Sequence, residues 1–295
     1  MADAILHEPR LFATDVDGTL FNSAHKLTPA AEAAIVAARE AGVRVVIATG
    51  KGPGPWSDDL LPRLRAMPGP GAPAILMQGL LVLAEDGTVM RRQLLDRDLA
   101  CELLLLGDRM RQEGVDVNVF GYGADRILCP AIDRHAELLR SYGEAPPTAP
   151  PPGSSAAEHA RKTSFDLFKV VFITDGASGA ATASVRTRAE QVAAGRARVV
   201  QSIAEAVEVL PVGVSKGSAL AALAETDLVP PVPPSHIVAA GDGENDIEML
   251  QLAGVGCAMA NAVDKVKAVA DRVLRGTNDE DGVVEALAIA QAGVW

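Results

Sequence analysis

Aromatic residues are scarce in this chain: Phe, Trp and Tyr together make up 3% of its 295 residues. The apolar 48% is therefore mostly Ala, Val and Leu, and cores of that composition are built from aliphatic strands and Ala-rich helices stacked in layers. There are three cysteines, Cys101, Cys129 and Cys257. Their odd number and wide spacing exclude a disulfide framework and a CxxC metal site. Cys129 and Cys257 lie in apolar sequence and read as small core residues of a reduced compartment. No apolar run approaches the roughly 20 residues that span a bilayer. Met1 to Arg10 lack the apolar centre of a signal peptide. The expected location is therefore the cytoplasm or the soluble interior of an organelle. Positive charge is also in deficit, with 27 Lys and Arg against 38 Asp and Glu and a net charge of -11. Such a chain repels nucleic-acid backbones and anionic membrane surfaces, so neither is expected as a partner. Phosphate esters are not excluded, because a bound cation and a few local Lys and N–H groups set the field at a site.

The length is ample for two domains. Leu11 to Thr14 is a short apolar run that stops at Asp15 and reads as a buried strand. Thr28-Pro29 has the form of an N-cap with proline at the first helical position, and the helix it opens runs to about Ala41 and ends at Gly42. Val43 to Ala48 and Ala74 to Met77 read as further buried strands. The same rhythm returns near the C-terminus, with a helix over Ser215 to Ala224, a strand over His236 to Ala240 and an amphipathic helix from about Asn245. Short strands over Val255 to Met259 and Arg272 to Leu274 follow, then a helix over Val283 to Gln291. This alternation predicts an α/β fold with a parallel sheet covered on both faces.

The middle of the chain has another texture. Strand-like pieces are separated by two helical stretches, one of them Thr182 to Ala194. Val115 to Phe120 reads as pairing with Arg126 to Cys129 across a Gly121-Tyr122-Gly123 turn, and Phe168 to Ile173 reads as a further strand. The expected organisation is a core formed by residues 1–82 and 209–295, with an α+β domain inserted over residues 83–208. The Pro-rich segment Ala145 to Ser155 reads as an exposed, poorly ordered loop.

Four short pieces carry chemistry. Asp15-Val16-Asp17-Gly18-Thr19 directly follows a strand, and reactive groups of open α/β sheets gather beyond the carboxyl ends of strands. Two carboxylates two residues apart in extended chain project to the same side. One can attack phosphorus while the other handles the leaving-group proton. Gly18 lets the backbone turn sharply. Thr49-Gly50 follows the second strand, where a hydroxyl and free N–H groups can bind phosphate oxygens. Lys216 opens a helix and can neutralise charge on a nucleophile and a transferring group. Gly241-Asp242-Gly243-Glu244-Asn245-Asp246 follows another strand and supplies oxygen ligands of the kind Mg²⁺ takes. Glu244 reads as a solvated turn residue. Each piece alone also has an ordinary structural explanation, as an acidic turn, a strand exit, a surface lysine or an N-cap. Together, three of the four follow a predicted parallel strand and would meet at one sheet edge.

In this order the motifs resemble those of the haloacid dehalogenase (HAD) superfamily, in its Cof-type phosphatase branch. The resemblance covers the whole order of the chain, with DxDGT and GDGxND as its specific elements. It implies a Rossmann-like core with an inserted cap that selects the leaving group and excludes water. It also implies that Asp15 forms an aspartyl-phosphate and that Asp17 serves as acid and then base. Mg²⁺ would be held by Asp15, the backbone carbonyl of Asp17 and Asp242, with Asp246 supporting it through water. Thr49, Gly50, Lys216 and Asn245 would hold phosphate oxygens. The implied partner is a small phosphorylated metabolite, such as a sugar phosphate or a phosphorylated cofactor precursor. Two positions depart from the family's pattern. Lys51 stands where many relatives carry arginine, and Gln78-Gly79-Leu80 where many carry Asn-Gly-Ala. Both lie near the family's substrate entrance, so the departures bear on the substrate more than on the reaction. Two other functions fit the same motifs. One is a phosphotransferase or sugar phosphomutase using the same intermediate. The other is a binding protein on an inactive fold, against which the intact Asp15, Asp17, Lys216 and Asp242 speak. Arg126, Arg134 and Lys169 lie in the inserted domain, where they could reach a ligand, but each reads rather as a solvated surface charge. The oligomeric state, monomer or homodimer, is open.

Overall fold

The computed structural model describes residues 10–176, 179–203 and 205–293. The reading of Met1 to Arg10 falls, up to Pro9, outside the described residues. The chain forms two compact units. The described residues of the first are 10–50, 61–91 and 215–293, and those of the second are 51–60 and 92–214, less the undescribed positions above. Among the described residues no helix is long and apolar enough to cross a membrane.

The first unit is built on one sheet. Its strands run, edge to edge, Arg272–Val273, Val255–Ala258, Ile237–Gly241, Arg10–Thr14, Val43–Ala48, Ala74–Leu76, Leu81–Leu83 and Val89–Arg92. The pairings from Arg272–Val273 through Ala74–Leu76 are parallel. Leu81–Leu83 then pairs antiparallel. Leu11, Phe12 and Ala13 are fully buried, as a strand covered on both faces requires. Helix Pro29–Glu40 begins where expected: the Thr28 hydroxyl accepts from Ala31 N–H at 3.1 Å, and Gly42 follows the helix with φ +83°.

The topology sets the position of the site. From the central strand Arg10–Thr14 the chain moves to one side as Val43–Ala48 and later returns on the other side as Ile237–Gly241. The strand order reverses there, which opens a crevice beyond the carboxyl ends of the strands. Asp15 leaves one of the two switch strands and Asp242 the other, and Asp15 N–H still donates to Ala240 O at 3.0 Å.

The second unit holds a sheet in the order Ala197–Ile203, Ala206–Pro211, Lys169–Thr174, Val117–Tyr122, Ile127–Leu128, Pro147–Thr148. Leu99, Leu103 and Leu104 of helix Arg97–Gln112 and Val185 and Ala189 of helix Ala180–Ala193 form one core with Val119, Val170, Phe172 and Val207.

Several expectations change here. Among the described residues the middle of the chain contains four helices rather than two, including Arg134–Ser141 and Ala156–Lys162. These two are short and carry few apolar residues, so their periodicity is faint. The expected hairpin is displaced: Gly121 and Tyr122 belong to the strand, paired with Leu128 and Ile127, and the turn begins at Gly123. Gly121 is tolerated mid-strand because Leu167 occupies the space of its absent Cβ, 2.6 Å away. The Pro-rich segment is not a loose loop throughout, since Pro147–Thr148 pairs with Ile127–Leu128.

Candidate active site

Asp15, Asp242 and Asp246 each offer a carboxylate oxygen to one group, all within 4.8 Å of one another. Lys216 joins them. Its ammonium donates to Asp15 Oδ1 at 2.6 Å and to Asp246 Oδ1 at 2.7 Å, and its side chain is 0% exposed. The lysine is delivered by helix Lys216–Ala222, which Ser215 caps: the Ser215 hydroxyl accepts from Ser218 N–H at 3.0 Å, and Ser218 Oγ accepts from Ser215 N–H at 2.9 Å.

The acidic loop is tied down residue by residue. Asp246 Oδ2 accepts from the N–H groups of Asp242 and Gly243, both at 3.0 Å. Thr19 donates its hydroxyl to Asp242 Oδ1 at 3.0 Å. Gly18 has φ +80°, and a Cβ there would sit 2.4 Å from Asp242 Oδ2, so only glycine brings the two loops this close. Asp15 Oδ2 and Asp242 Oδ2 carry no hydrogen bond among the described residues.

The charge balance is uneven. Burial pulls the Lys216 ammonium down, but Asp15 and Asp246 outweigh it and hold the lysine above its ordinary value. Burial drives Asp15 well above the usual carboxylate range, against Lys216 and together with Asp246 and Asp242. Burial and then Asp246 push Asp242 up to about 6. Burial acts on all three groups, and the carboxylates outnumber the one ammonium, so the lysine keeps its proton while the charged forms of Asp15 and Asp242 are disfavoured. The free donors are all oxygen, which suits a hard divalent cation.

A second group of expected residues gathers beside this one. Asn245 Nδ2 donates to Gln78 Oε1 at 3.1 Å, and Gln78 N–H donates to Thr49 O at 3.0 Å. A Cβ on Gly50 would lie 2.6 Å from Gln78 Nε2. Thr49, Gly50 and Asn245 thus meet around Gln78, a residue that sequence reasoning had noted only as a departure from a family pattern. Asp17 stands somewhat apart. Its side chain is 37% exposed, lies outside the acidic group, and its Oδ1 is 3.1 Å from His25 Nδ1. His25 and Thr19 were also missed. Thr19 was within reach as part of the DVDGT run, whereas nothing in the sequence signals His25. Arg126 and Arg134 are exposed as expected, but Lys169 is not a surface charge: it is 3% exposed and paired with Glu208 at 2.7 Å.

Comparison with known proteins agrees with this architecture. A family model described as haloacid dehalogenase-like hydrolase matches residues 12–287. A protein named Endoribonuclease YBEY, chloroplastic, from Arabidopsis thaliana is 35% identical over 283 residues, which is 92% of this chain but only 45% of that protein. This chain therefore spans less than half the length of that relative, whose name describes the longer protein. A protein named HMP-PP phosphatase from Cronobacter sakazakii is 28% identical, covering 88% of this chain and 87% of its own length. A solved structure described as a HAD/COF-like hydrolase from Plasmodium vivax superposes with a TM-score of 0.78 at 21% identity, covering 95% of each chain, and shows the fold.

Proposed function

We propose that this chain, which belongs to the haloacid dehalogenase-like hydrolases and to their Cof-type branch, is a phosphatase that cleaves a small phosphate monoester through a phosphorylated Asp15. One observation carries the reading: Asp15, at the end of a switch strand, shares a buried ammonium with the acidic loop that leaves the neighbouring switch strand.

In this reading the Asp15 carboxylate attacks phosphorus, and the bond from phosphorus to the ester oxygen breaks as the new bond forms. Asp17 gives its proton to the departing oxygen. It then takes a proton from water as that water attacks phosphorus and the Asp15–phosphorus bond breaks. Inorganic phosphate leaves, and both aspartates regain their starting states. Lys216, held charged and buried, neutralises Asp15 and the transferring oxygens. Thr49, Gly50 and Asn245 bind phosphoryl oxygens. Asp15, Asp242 and the Asp17 carbonyl would hold Mg²⁺, with Asp246 behind them, its two oxygens already engaged by Lys216 and by backbone N–H groups. Mg²⁺, when bound, offsets the repulsion between Asp15 and a phosphate dianion. The second unit takes the part of the inserted domain that selects the leaving group.

The test is Asp15→Asn, assayed by release of free phosphate from a panel of small esters. Turnover is expected to fall by at least about a thousandfold. Quenched wild-type enzyme should carry phosphate on Asp15 by mass spectrometry. Near-normal release from the variant sinks the assignment, and a rearranged sugar phosphate in place of free phosphate points to transfer instead.

A further inference from the structure

Gln78 follows strand Ala74–Leu76 at the same carboxyl edge that carries Asp15, Thr49 and Asp242. Its backbone is unusual. Met77, Gln78 and Gly79 have φ of +51°, +62° and +103°, and the first two bear side chains that disfavour this region. Strained backbone of this kind persists where surrounding structure over-determines it, and it clusters at functional sites. A Cβ on Gly79 would lie 2.6 Å from Ser215 O, so the turn is pressed against the residue that caps the Lys216 helix.

The turn presents one side chain inward. Gln78 is 4% exposed. Its amide is fixed at one end, because Asn245 Nδ2 can only donate and so takes Gln78 Oε1 as acceptor, at 3.1 Å. The Nε2 group therefore points the other way, towards the open face of Gly50. There it is buried and has no hydrogen-bond partner among the described residues. An unmade hydrogen bond on a buried amide is costly, and native folds rarely keep one without a use. Its neighbours on either side, Gly50 and Asn245, are the residues assigned above to phosphate oxygens. Glycine at position 50 leaves the approach clear, since any side chain there would strike Nε2.

We propose that Gln78 is a substrate-contacting residue whose Nε2 donates a hydrogen bond to a phosphoryl oxygen held at Thr49–Gly50. This rests on the phosphatase reading for the identity of the ligand, but the donor and its aim belong to Gln78 itself. The left-handed turn at Met77–Gly79 exists to carry this amide into the site, and Asn245 orients it.

The probe is inorganic phosphate with Mg²⁺, its binding measured by calorimetry, beside turnover of p-nitrophenyl phosphate. Gln78→Glu keeps an acceptor for Asn245 and replaces the donor with a negative oxygen. Gln78→Met removes both at similar size. Losing a hydrogen bond to a charged group should weaken phosphate binding about tenfold or more in the methionine variant. The glutamate variant, which adds repulsion, should lose more. The melting temperature of Gln78→Met should change little, because the unpaired buried donor goes together with the acceptor that Asn245 Nδ2 now uses. A measurement on the wild type needs no variant: the Gln78 side-chain amide resonance should move on saturation with phosphate. Binding within twofold of wild type in both variants, or an unmoved resonance, overturns the proposal. Wild-type protein that binds phosphate through Gln78 yet releases none from any ester would sink the phosphatase reading alone. Ester hydrolysis unaffected by either variant would sink the Gln78 contact alone, and wild-type protein that neither binds phosphate nor hydrolyses esters would sink both.

Discussion

Lys216 opens its helix, where a cation meets the positive end of the macrodipole and is disfavoured. Asp15 and Asp246, each within 2.7 Å of its ammonium, offset that cost and the cost of full burial. The second unit has a comparable buried group in which the balance fails for one member. Glu144 Oε2 accepts from Gly52 N–H at 3.2 Å, and the charged groups acting on its carboxyl are Lys169, Lys51 and Glu208, with the Tyr122 hydroxyl hydrogen-bonded to it. Burial, opposed by the two lysines, pushes Glu144 up to about 7. A carboxyl raised on folding keeps its proton longer in the native state. Between the ordinary value of 4.5 and about 7 the folded chain therefore binds more protons than the unfolded one, and stability falls as pH rises through that window. Glu144→Gln cannot ionise and should escape this loss. Its melting temperature relative to wild type is expected to rise by several degrees from pH 5 to pH 8, an increment worth roughly 3 kcal/mol. A difference independent of pH would mean that Glu144 does not titrate in this window. None of this was readable in advance. Lys169 looks like a surface lysine because lone lysines usually are, and its partner Glu208 lies 39 residues away on the neighbouring strand.

Secondary structure was legible where chemistry is local. Thr28-Pro29 announces a helix and Gly42 ends it because caps need only neighbours. The strands before Asp15, Thr49 and Asp242 are apolar on both faces and end at turn residues, so the sheet edge that carries the motifs was readable. Helix Pro55–Ala66 was missed: it begins in a Pro- and Gly-rich run and contains Pro62, which removes an interior N–H. The role of Gln78 was hidden for another reason, since a positive φ at a residue with a side chain leaves no mark in the sequence. Helix packing behind the site is equally invisible, and Gly217 shows what depends on it. A Cβ there would lie 2.6 Å from Glu248 C and 2.7 Å from its carbonyl oxygen, on helix Ile247–Leu252, so the two helices meet backbone to backbone. Ser215 also donates to the Glu248 carboxylate, which ties the start of one helix to the other. Gly217→Ala must push them apart at a cost of about 1–3 kcal/mol, and Lys216 moves with its helix. Turnover should fall together with melting temperature, and a variant with wild-type kcat would show that Lys216 tolerates the displacement.

For the molecule as a whole the charge imbalance at the first unit's sheet edge matters most where a cation can bind. Asp15, Asp242 and Asp246 gather there with a single ammonium, which pairs with Asp15 and Asp246, within a chain that already carries -11. A divalent cation that binds there and not to the unfolded chain stabilises the fold by mass action, by about 2.7 kcal/mol at a hundredfold excess over Kd. Protein stripped with EDTA should therefore melt several degrees lower and release no phosphate, and Mg²⁺ should restore both properties. Ordinary salt must be distinguished from a site, since added ions also screen a net negative surface. NaCl at matched ionic strength is expected to reproduce little of the shift. Asp242→Asn, which removes a ligand but keeps an oxygen for Thr19, should lose the Mg²⁺ increment while gaining stability without metal, because a carboxyl pushed up to about 6 by burial and by Asp246 is replaced by a neutral amide. Opposite signs with and without Mg²⁺ are what a built cation site requires. An equal shift from NaCl, or an undiminished Mg²⁺ increment in Asp242→Asn, would place the cation elsewhere.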